Sequence, residues 1–465
     1  MPSRPGVLLS LALLSAQWLM GQVGGIQGAW EGSIKTPTGM ALRLRVHVSA
    51  NPDGTLTGAL DSVDQGAFGI PMDSVTFADG VLRWSIKRLM ASYEGRMAVD
   101  GSGVAGTFQQ GAASMELALK RMDPSAAKAP ARPQEPKGPL PYGAAEVSFA
   151  SKAAGVRLAG TVTFPKADGP HPAVVLVSGS GPQDRDEAIM GHKPFLVLAD
   201  ALTRAGFVVL RYDDRGVGKS TGDFAAATSV DFSDDAEGAF EFVRGYAGVD
   251  AKRVGFIGHS EGALVAPMVA ARREEVAFLV FLAGTAVPGA DVMLAQAEAI
   301  AKVMGAPEEA RRANRELQEK LFAAIRTTPD PEELREKVME ALAGLPEAMR
   351  AQQARQVLSP WMRFFVTYDP AAVLRRLKCP VLALFGERDL QVLPGQNAPV
   401  MEKALREGGN ERVTMERVAG VNHLFQPAQT GLPQEYASIE TTMDPRVLEM
   451  VAGWLRRQTG VGGQP

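Results

Sequence analysis

The sequence predicts an α/β protein, a mostly parallel sheet flanked by helices and interrupted by a helical insertion, with a small all-β domain in front of it. Three observations predict this. From residue 146 onward, short apolar runs alternate with helical patterns, the signature of a mostly parallel sheet. Before residue 123, period-two segments are separated by turn signals such as Asn51-Pro52-Asp53-Gly54 and Asp100-Gly101-Ser102-Gly103. Between the two regions, Pro124, Pro130, Pro133, Pro136, Pro139 and Pro141 mark a semi-extended linker. A chain of 465 residues with 46% hydrophobic content can build two or three folding units with a large core.

Residues 1–22 read as a signal peptide. Arg4 supplies the positive start, and Val7 to Met20 form an apolar run too short to span a bilayer comfortably. The expectation is an exported protein, periplasmic or secreted, with no stable membrane insertion once the signal is removed. Residues 23–122 read as a β-barrel or sandwich, in which Leu42 to Val48 alternates as a half-buried strand with His47 exposed on its polar side. Residues 123–141 form the linker.

Residues 142–287 carry the first part of the α/β core, with buried-strand runs at Ala173–Val177, Phe207–Leu210, Arg253–Ile257 and Val276–Leu282. Residues 288–370, rich in Ala, Glu, Gln, Arg and Leu, read as a helical cap over the loop edge of the sheet. Residues 371–460 complete the core, with a further strand at Val381–Phe385. The net charge of −3 and the absence of a basic stripe exclude nucleic acid as a partner. Cys379 is the single cysteine, so no intrachain disulfide forms.

Two stretches match G-x-S-x-G, Gly258-His259-Ser260-Glu261-Gly262 and Gly218-Lys219-Ser220-Thr221-Gly222. Only the first has the context that nucleophilic chemistry needs, a strand (Val254 to Ile257) turning sharply into a helix (Ala263 onward). This elbow predicts the α/β-hydrolase fold with Ser260 as nucleophile. The second stretch lies in a polar loop. It also ends like a phosphate-binding loop, but Asp213 stands where that motif requires glycine.

A serine hydroxyl needs a base, and the base needs an orienting carboxylate. Of five histidines, His423 follows the last strand, as the order Ser, acid, His requires in this fold. Asp389, in the loop after Val381–Phe385, is the expected acid, with Glu387 as the alternative. The oxyanion donors are expected at the N–H of Glu261, directly after the nucleophile, and at Ser180 in the glycine-rich loop Ser178 to Pro182.

Residues 146 to 457 resemble bacterial α/β-hydrolase esterases of the EstD type. The resemblance rests on S-G-S-G-P-x-D-R-D (Ser178 to Asp186), R-Y-D-D-R-G-V-G-K-S (Arg211 to Ser220), G-H-S-E-G, P-W-M-R-F-F (Pro360 to Phe365) and the closing V-N-H. It implies a carboxylesterase for short to medium acyl chains, acting on a small-molecule ester with a helical cap and no cofactor. The same core is similar to serine aminopeptidases and acyl thioesterases, which stay open as alternatives beside a non-catalytic binding protein. Ala263 departs from the pattern, which has a second glycine after Gly262.

No His/Cys/Asp cluster has metal-ligand spacing, so no metal is expected. Trp361, Phe364, Phe365 and Tyr368 recur on one helix face. They either dock the cap or, for Trp361, Phe364 and Phe365, line the substrate pocket.

Overall fold

The computed structural model describes residues 25–35, 41–51, 53–65, 67–111, 113–123, 131–345 and 347–461. The expected signal peptide (residues 1–22) and the start of the linker (residues 124–130) lie outside them. Contacts divide the chain into two units, one ending at Ala131 and including Gln434–Ser438, the other comprising Arg132–Pro433 and the chain from Ile439 onward.

The first unit is a single nine-stranded antiparallel sheet. Its strands are β1 (Gly28–Lys35), β2 (Ala41–Ala50), β3 (Leu56–Ser62), β4 (Ala67–Pro71), β5 (Ser74–Ala78), β6 (Val81–Ile86), β7 (Ala91–Met97), β8 (Gly103–Gln110) and β9 (Ala113–Arg121). They are ordered β4-β3-β2-β1-β9-β8-β7-β6-β5. Period two does the sorting: Leu42, Leu44, Val46 and Val48 of β2 all turn inward onto Trp30, Trp84, Tyr93 and Phe108. The sheet curls so far that a side chain at Gly58 of β3 would touch Val75 of β5, near the other end of the order.

Of the two expected architectures this is the barrel type, left open as a half-barrel, with one sheet in the unit among the described residues. His47 is not the exposed residue expected of it. It is half-buried, and its Nε2 lies 2.6 Å from Asp61 Oδ2 on the neighbouring strand, a cross-strand pair that alternation alone does not reveal.

The second unit holds an eight-stranded sheet ordered β10-β11-β13-β12-β14-β15-β16-β17. The antiparallel strands β10 (Gly143–Ala150) and β11 (Arg157–Phe164) open it, followed by the parallel β12 (His171–Val177), β13 (Val208–Tyr212), β14 (Val249–His259), β15 (Leu279–Leu282), β16 (Val381–Gly386) and β17 (Val413–Val418). The central strands are apolar on both faces because helices cover both. Val175, Val177 and Phe256 pack with α2 (Ser229–Arg244), α3 (Gly262–Ala270) and α10 (Pro394–Glu407) on one face. Val174, Leu176 and Ile257 pack with α1 (Pro194–Arg204) and α11 (Pro445–Thr459) on the other.

Between β15 and β16 the chain forms α4 (Gly289–Val303), α5 (Glu308–Thr327), α6 (Pro331–Ala341), α7 (Glu347–Val357), α8 (Pro360–Thr367) and the short α9 (Pro370–Leu374). Leu321, Phe322, Leu334, Val338 and Val366 give these helices a small core of their own. The end of the proline-rich stretch is fastened rather than free. Gln134 accepts from the backbone N–H groups of Thr442 (2.7 Å) and Met443 (3.0 Å) and donates to the Met443 carbonyl (2.7 Å).

Candidate active site

Strand β14 ends at His259 and helix α3 begins at Gly262, leaving Ser260 at the corner with φ of +52°. That left-handed conformation costs a side-chain-bearing residue roughly 1–3 kcal/mol and persists only where neighbours enforce it. Here the Ser260 N–H is held by the Leu282 carbonyl at 2.8 Å. The flanking glycines are steric requirements. A Cβ at Gly262 would lie 2.0 Å from the Val177 carbonyl oxygen, and one at Gly258 would lie 2.2 Å from that of Gly262. Ala263, the departure from the family pattern, fits because Gly284 faces it: a Cβ there would come within 2.9 Å of the Ala263 methyl.

Asp389 and His423 meet although they are 34 residues apart, with Asp389 Oδ2 2.8 Å from His423 Nδ1, and both are buried. Asp389 Oδ1 accepts from the N–H groups of Gln391 (2.7 Å) and Val392 (2.9 Å), so the carboxylate is fixed from both sides. The bond to Nδ1 leaves Nε2 as the basic nitrogen of His423. Glu387 points elsewhere and accepts from Gly420 N at 2.9 Å. The hydroxyl of Ser260 makes no hydrogen bond among the described residues.

A cavity of about 200 Å³ opens at Ser260, lined by Ser180, Glu261, Val292, Trp361, Phe365 and Gln391 among others. Both expected oxyanion residues are therefore at its wall. The N–H of Gly179, one residue earlier, is already committed to Glu187 Oε1 at 2.7 Å. The Glu261 carboxyl accepts from Ser229 Oγ (2.6 Å) and Trp361 Nε1 (2.7 Å), which ties α8 to the elbow, and burial raises its pKa.

Phe364, expected at the pocket beside Trp361 and Phe365, does not line this cavity. Trp361 and Phe365, four residues apart, stack on each other with centroids 4.8 Å apart, whereas Phe364 is turned about 100° from Phe365 around the helix and stacks on Tyr368 at 4.9 Å.

Two networks near the site are not visible in the motif reading. Glu187, buried and at φ of +52°, accepts from His259 Nδ1 at 2.8 Å. The Asp184 to Asp186 loop and the Arg211 to Arg215 stretch are also joined by ion pairs, Arg185 to Asp213 at 2.8 Å and Arg211 to Asp186, while Arg215 reaches Asp235 at 2.7 Å. The complementary charges of the two motifs are the sequence signal for this second network. Among the described residues, no cluster of His, Cys, Asp and Glu is arranged to hold a metal ion, and no helix is long and apolar enough to cross a membrane.

The sharp strand-to-helix corner at a serine, at the end of a central strand of a mostly parallel sheet with helices on both faces, is the arrangement of the α/β-hydrolase class. The Alpha/beta hydrolase family model matches residues 174–437, more than half of the chain, and the chain belongs to that family. It is similar to Esterase EstD of Thermotoga maritima, with 31% identity over 299 residues that cover 64% of this chain and 65% of that protein, just under two thirds of the relative's length. Among solved structures it is similar to the Pyrococcus furiosus esterase Pf2001, at 17% identity and a TM-score of 0.42 over 68% of this chain and 93% of that one. It is also similar to the alpha/beta hydrolase GrgF from Penicillium sp. sh18, at 16% identity and a TM-score of 0.45 over 68% and 99%.

Proposed function

We propose that this protein is a serine esterase that cleaves carboxylic esters of short to medium acyl chains through an acyl-serine intermediate. The observation that carries the reading is the strained Ser260 at the mouth of a cavity, next in sequence to His259, whose ring lies 4.9 Å from that of the Asp389-bound His423. In this reading His423 Nε2 takes the Ser260 proton as the oxygen attacks the ester carbonyl, and Asp389 holds the imidazole in the required tautomer. The Ser260–His423 hydrogen bond forms in the substrate complex, as such bonds commonly do. The N–H groups of Glu261 and Ser180 receive the developing oxyanion. His423 then returns the proton to the leaving alkoxide, and water repeats the sequence on the acyl-serine.

Helices α4 to α8 act as a cap in this reading, with Trp361 and Phe365 as acyl-side walls. Similarity to an esterase of Thermotoga maritima supports ester over other leaving groups. A serine aminopeptidase would need an ionised acid in the cavity to hold an amino terminus. Glu261 is poorly suited to that, since burial favours its neutral form and Ser229 and Trp361 already occupy Oε1. The apolar run Val7 to Met20 behind Arg4 supports export.

The test is a panel of p-nitrophenyl esters, an acyl-CoA and aminoacyl-p-nitroanilides run on one preparation, with a fluorophosphonate probe and mapping of the labelled residue. Turnover highest on the esters and label on Ser260 are expected. Preference for the anilides, or label elsewhere, overturns the reading.

A further inference from the structure

His259 is the last residue of β14, directly before the nucleophile, yet the ester cleavage proposed above makes no use of it. Its ring is buried, and each nitrogen faces an oxygen atom. Nδ1 lies 2.8 Å from Glu187 Oε1 and Nε2 lies 3.1 Å from the backbone carbonyl oxygen of His423. With the Glu187 carboxylate ionised, two acceptors call for a proton on each nitrogen, which makes the ring an imidazolium. Burial by itself would strip that charge. The Glu187 carboxylate and the His423 carbonyl outweigh it, and the pKa of His259 is raised above the ordinary 6.5. The same Glu187 oxygen accepts from the Gly179 N–H at 2.7 Å, and Glu187 itself is held in a left-handed conformation.

One buried ion pair thus joins three chain segments far apart in sequence: the Ser178 to Pro182 loop, the elbow, and the turn that carries the base. We propose that Glu187 and His259 are positioning residues for the esterase reaction, fixing the Ser180 N–H, the Ser260 hydroxyl and the His423 ring in mutual register. The proposal rests on the nucleophile and base assigned above. Neither residue lines the cavity at Ser260, so their loss acts on the geometry of the reacting groups and not on the walls that hold substrate. Misplacing reacting groups by about 1 Å costs on the order of 10²-fold in rate.

The experiment compares His259→Ala, His259→Asn, His259→Gln and Glu187→Gln on p-nitrophenyl butyrate, with active sites counted by fluorophosphonate titration and stability followed by thermal melting. In His259→Ala, kcat per titrated site is expected to fall on the order of 10²-fold while KM changes by less than about threefold. Asparagine reaches the Nδ1 position and keeps the Glu187 contact, and glutamine reaches the Nε2 position and keeps the contact to the His423 carbonyl. Each is expected to recover about tenfold over alanine, a graded rescue that a purely structural residue would not show.

Wild-type kcat per titrated site in the asparagine and glutamine variants overturns the proposal, whatever their melting temperatures and even where the alanine variant does not fold. A change confined to KM overturns it too. Failure of the underlying reading is separately visible: Ser260→Ala would then turn over ester like the wild type, and the positioning role falls with it.

Discussion

The chain carries one five-residue pattern twice, and the two copies become different objects. At Gly258 to Gly262 the glycines are forced by neighbouring backbone, and the serine is pushed into a left-handed corner with its side chain at a cavity. At Gly218 to Gly222 the glycines adopt positive φ themselves (56° and 104°), and the space beside Gly218 is filled by the Asp213 carboxylate. Ser220 is buried there with its hydroxyl fully employed, accepting from Ala159 N at 2.9 Å and donating to the Asp213 carbonyl at 2.7 Å. A motif describes the local chain path. Whether its serine can do chemistry depends on what the rest of the fold leaves the hydroxyl to do.

The largest expected effect is the sharpest way to break that comparison. Ser260→Ala should lower ester turnover on the order of 10⁶-fold with no change in fold by circular dichroism. Ser220→Ala should keep turnover per folded molecule but lose about 1–3 kcal/mol of stability in denaturant unfolding, because the Ala159 N–H is left buried without a partner. If the two variants exchange these behaviours, the wrong copy has been given the chemistry.

Next in size is the acid. Asp389→Asn should fold normally and lose on the order of 10⁴-fold in kcat, because an amide at Nδ1 favours the wrong tautomer of His423. Glu387→Gln should keep turnover, since its carboxylate braces Gly420 and not His423 among the described residues. Steady-state kinetics on both variants decides the matter: full activity in Asp389→Asn with collapse in Glu387→Gln would move the acid to Glu387.

How much of this is legible in the sequence follows from the range of the interactions. The elbow at Ser260 is readable because a strand, two glycines and an apolar helix start are neighbours in the chain. The β10–β11 hairpin is less so, because β10 alternates between half-buried and exposed residues and the largely buried β11 is broken by Gly160, Thr161 and Thr163 where the central strands are unbroken apolar runs. The Glu187–His259 pair spans 72 residues and no local rule joins its members. A helical stripe such as Trp361, Phe364, Phe365 and Tyr368 tells which residues share a face but not what lies opposite. In the fold it splits into two stacked pairs, of which Trp361 and Phe365 reach the cavity.

That split gives a smaller, graded prediction about the serine that opens on a cavity. Phe365 is buried and lines the same space as Ser260. Phe365→Leu keeps an apolar side chain there but opens room, and a methylene newly buried is worth about 0.8 kcal/mol. The ratio of kcat/KM for octanoate over butyrate esters should rise about fivefold. An unchanged ratio with lowered melting temperature would make Phe365 a packing residue alone.

The smallest effect concerns the other copy, whose stretch supports the site without taking part in it. Asp214 lies in the same run as Ser220, half-buried, and holds the Ser178 to Pro182 segment and its continuation through Ser178 Oγ (2.9 Å) and Gln183 N (3.0 Å). Burial, with added repulsion from Glu261 and Glu187, outweighs those two bonds and pushes its pKa from 3.8 up to about 8. The folded chain therefore keeps a proton at Asp214 over a range in which the unfolded chain has lost it. By linkage, stability from this group is full below the unfolded value near pH 4 and is lost as pH climbs toward about 8. Asp214→Asn imitates the protonated acid, with its amide oxygen toward Gln183 N and its NH₂ toward Ser178 Oγ, and carries no charge to desolvate. It should melt with the wild type at pH 4 and several °C above it at pH 8. A gap between the two melting curves that does not widen with pH would mean that Asp214 is ionised in the fold, and that the loop beneath Ser180 is held by a carboxylate rather than an acid.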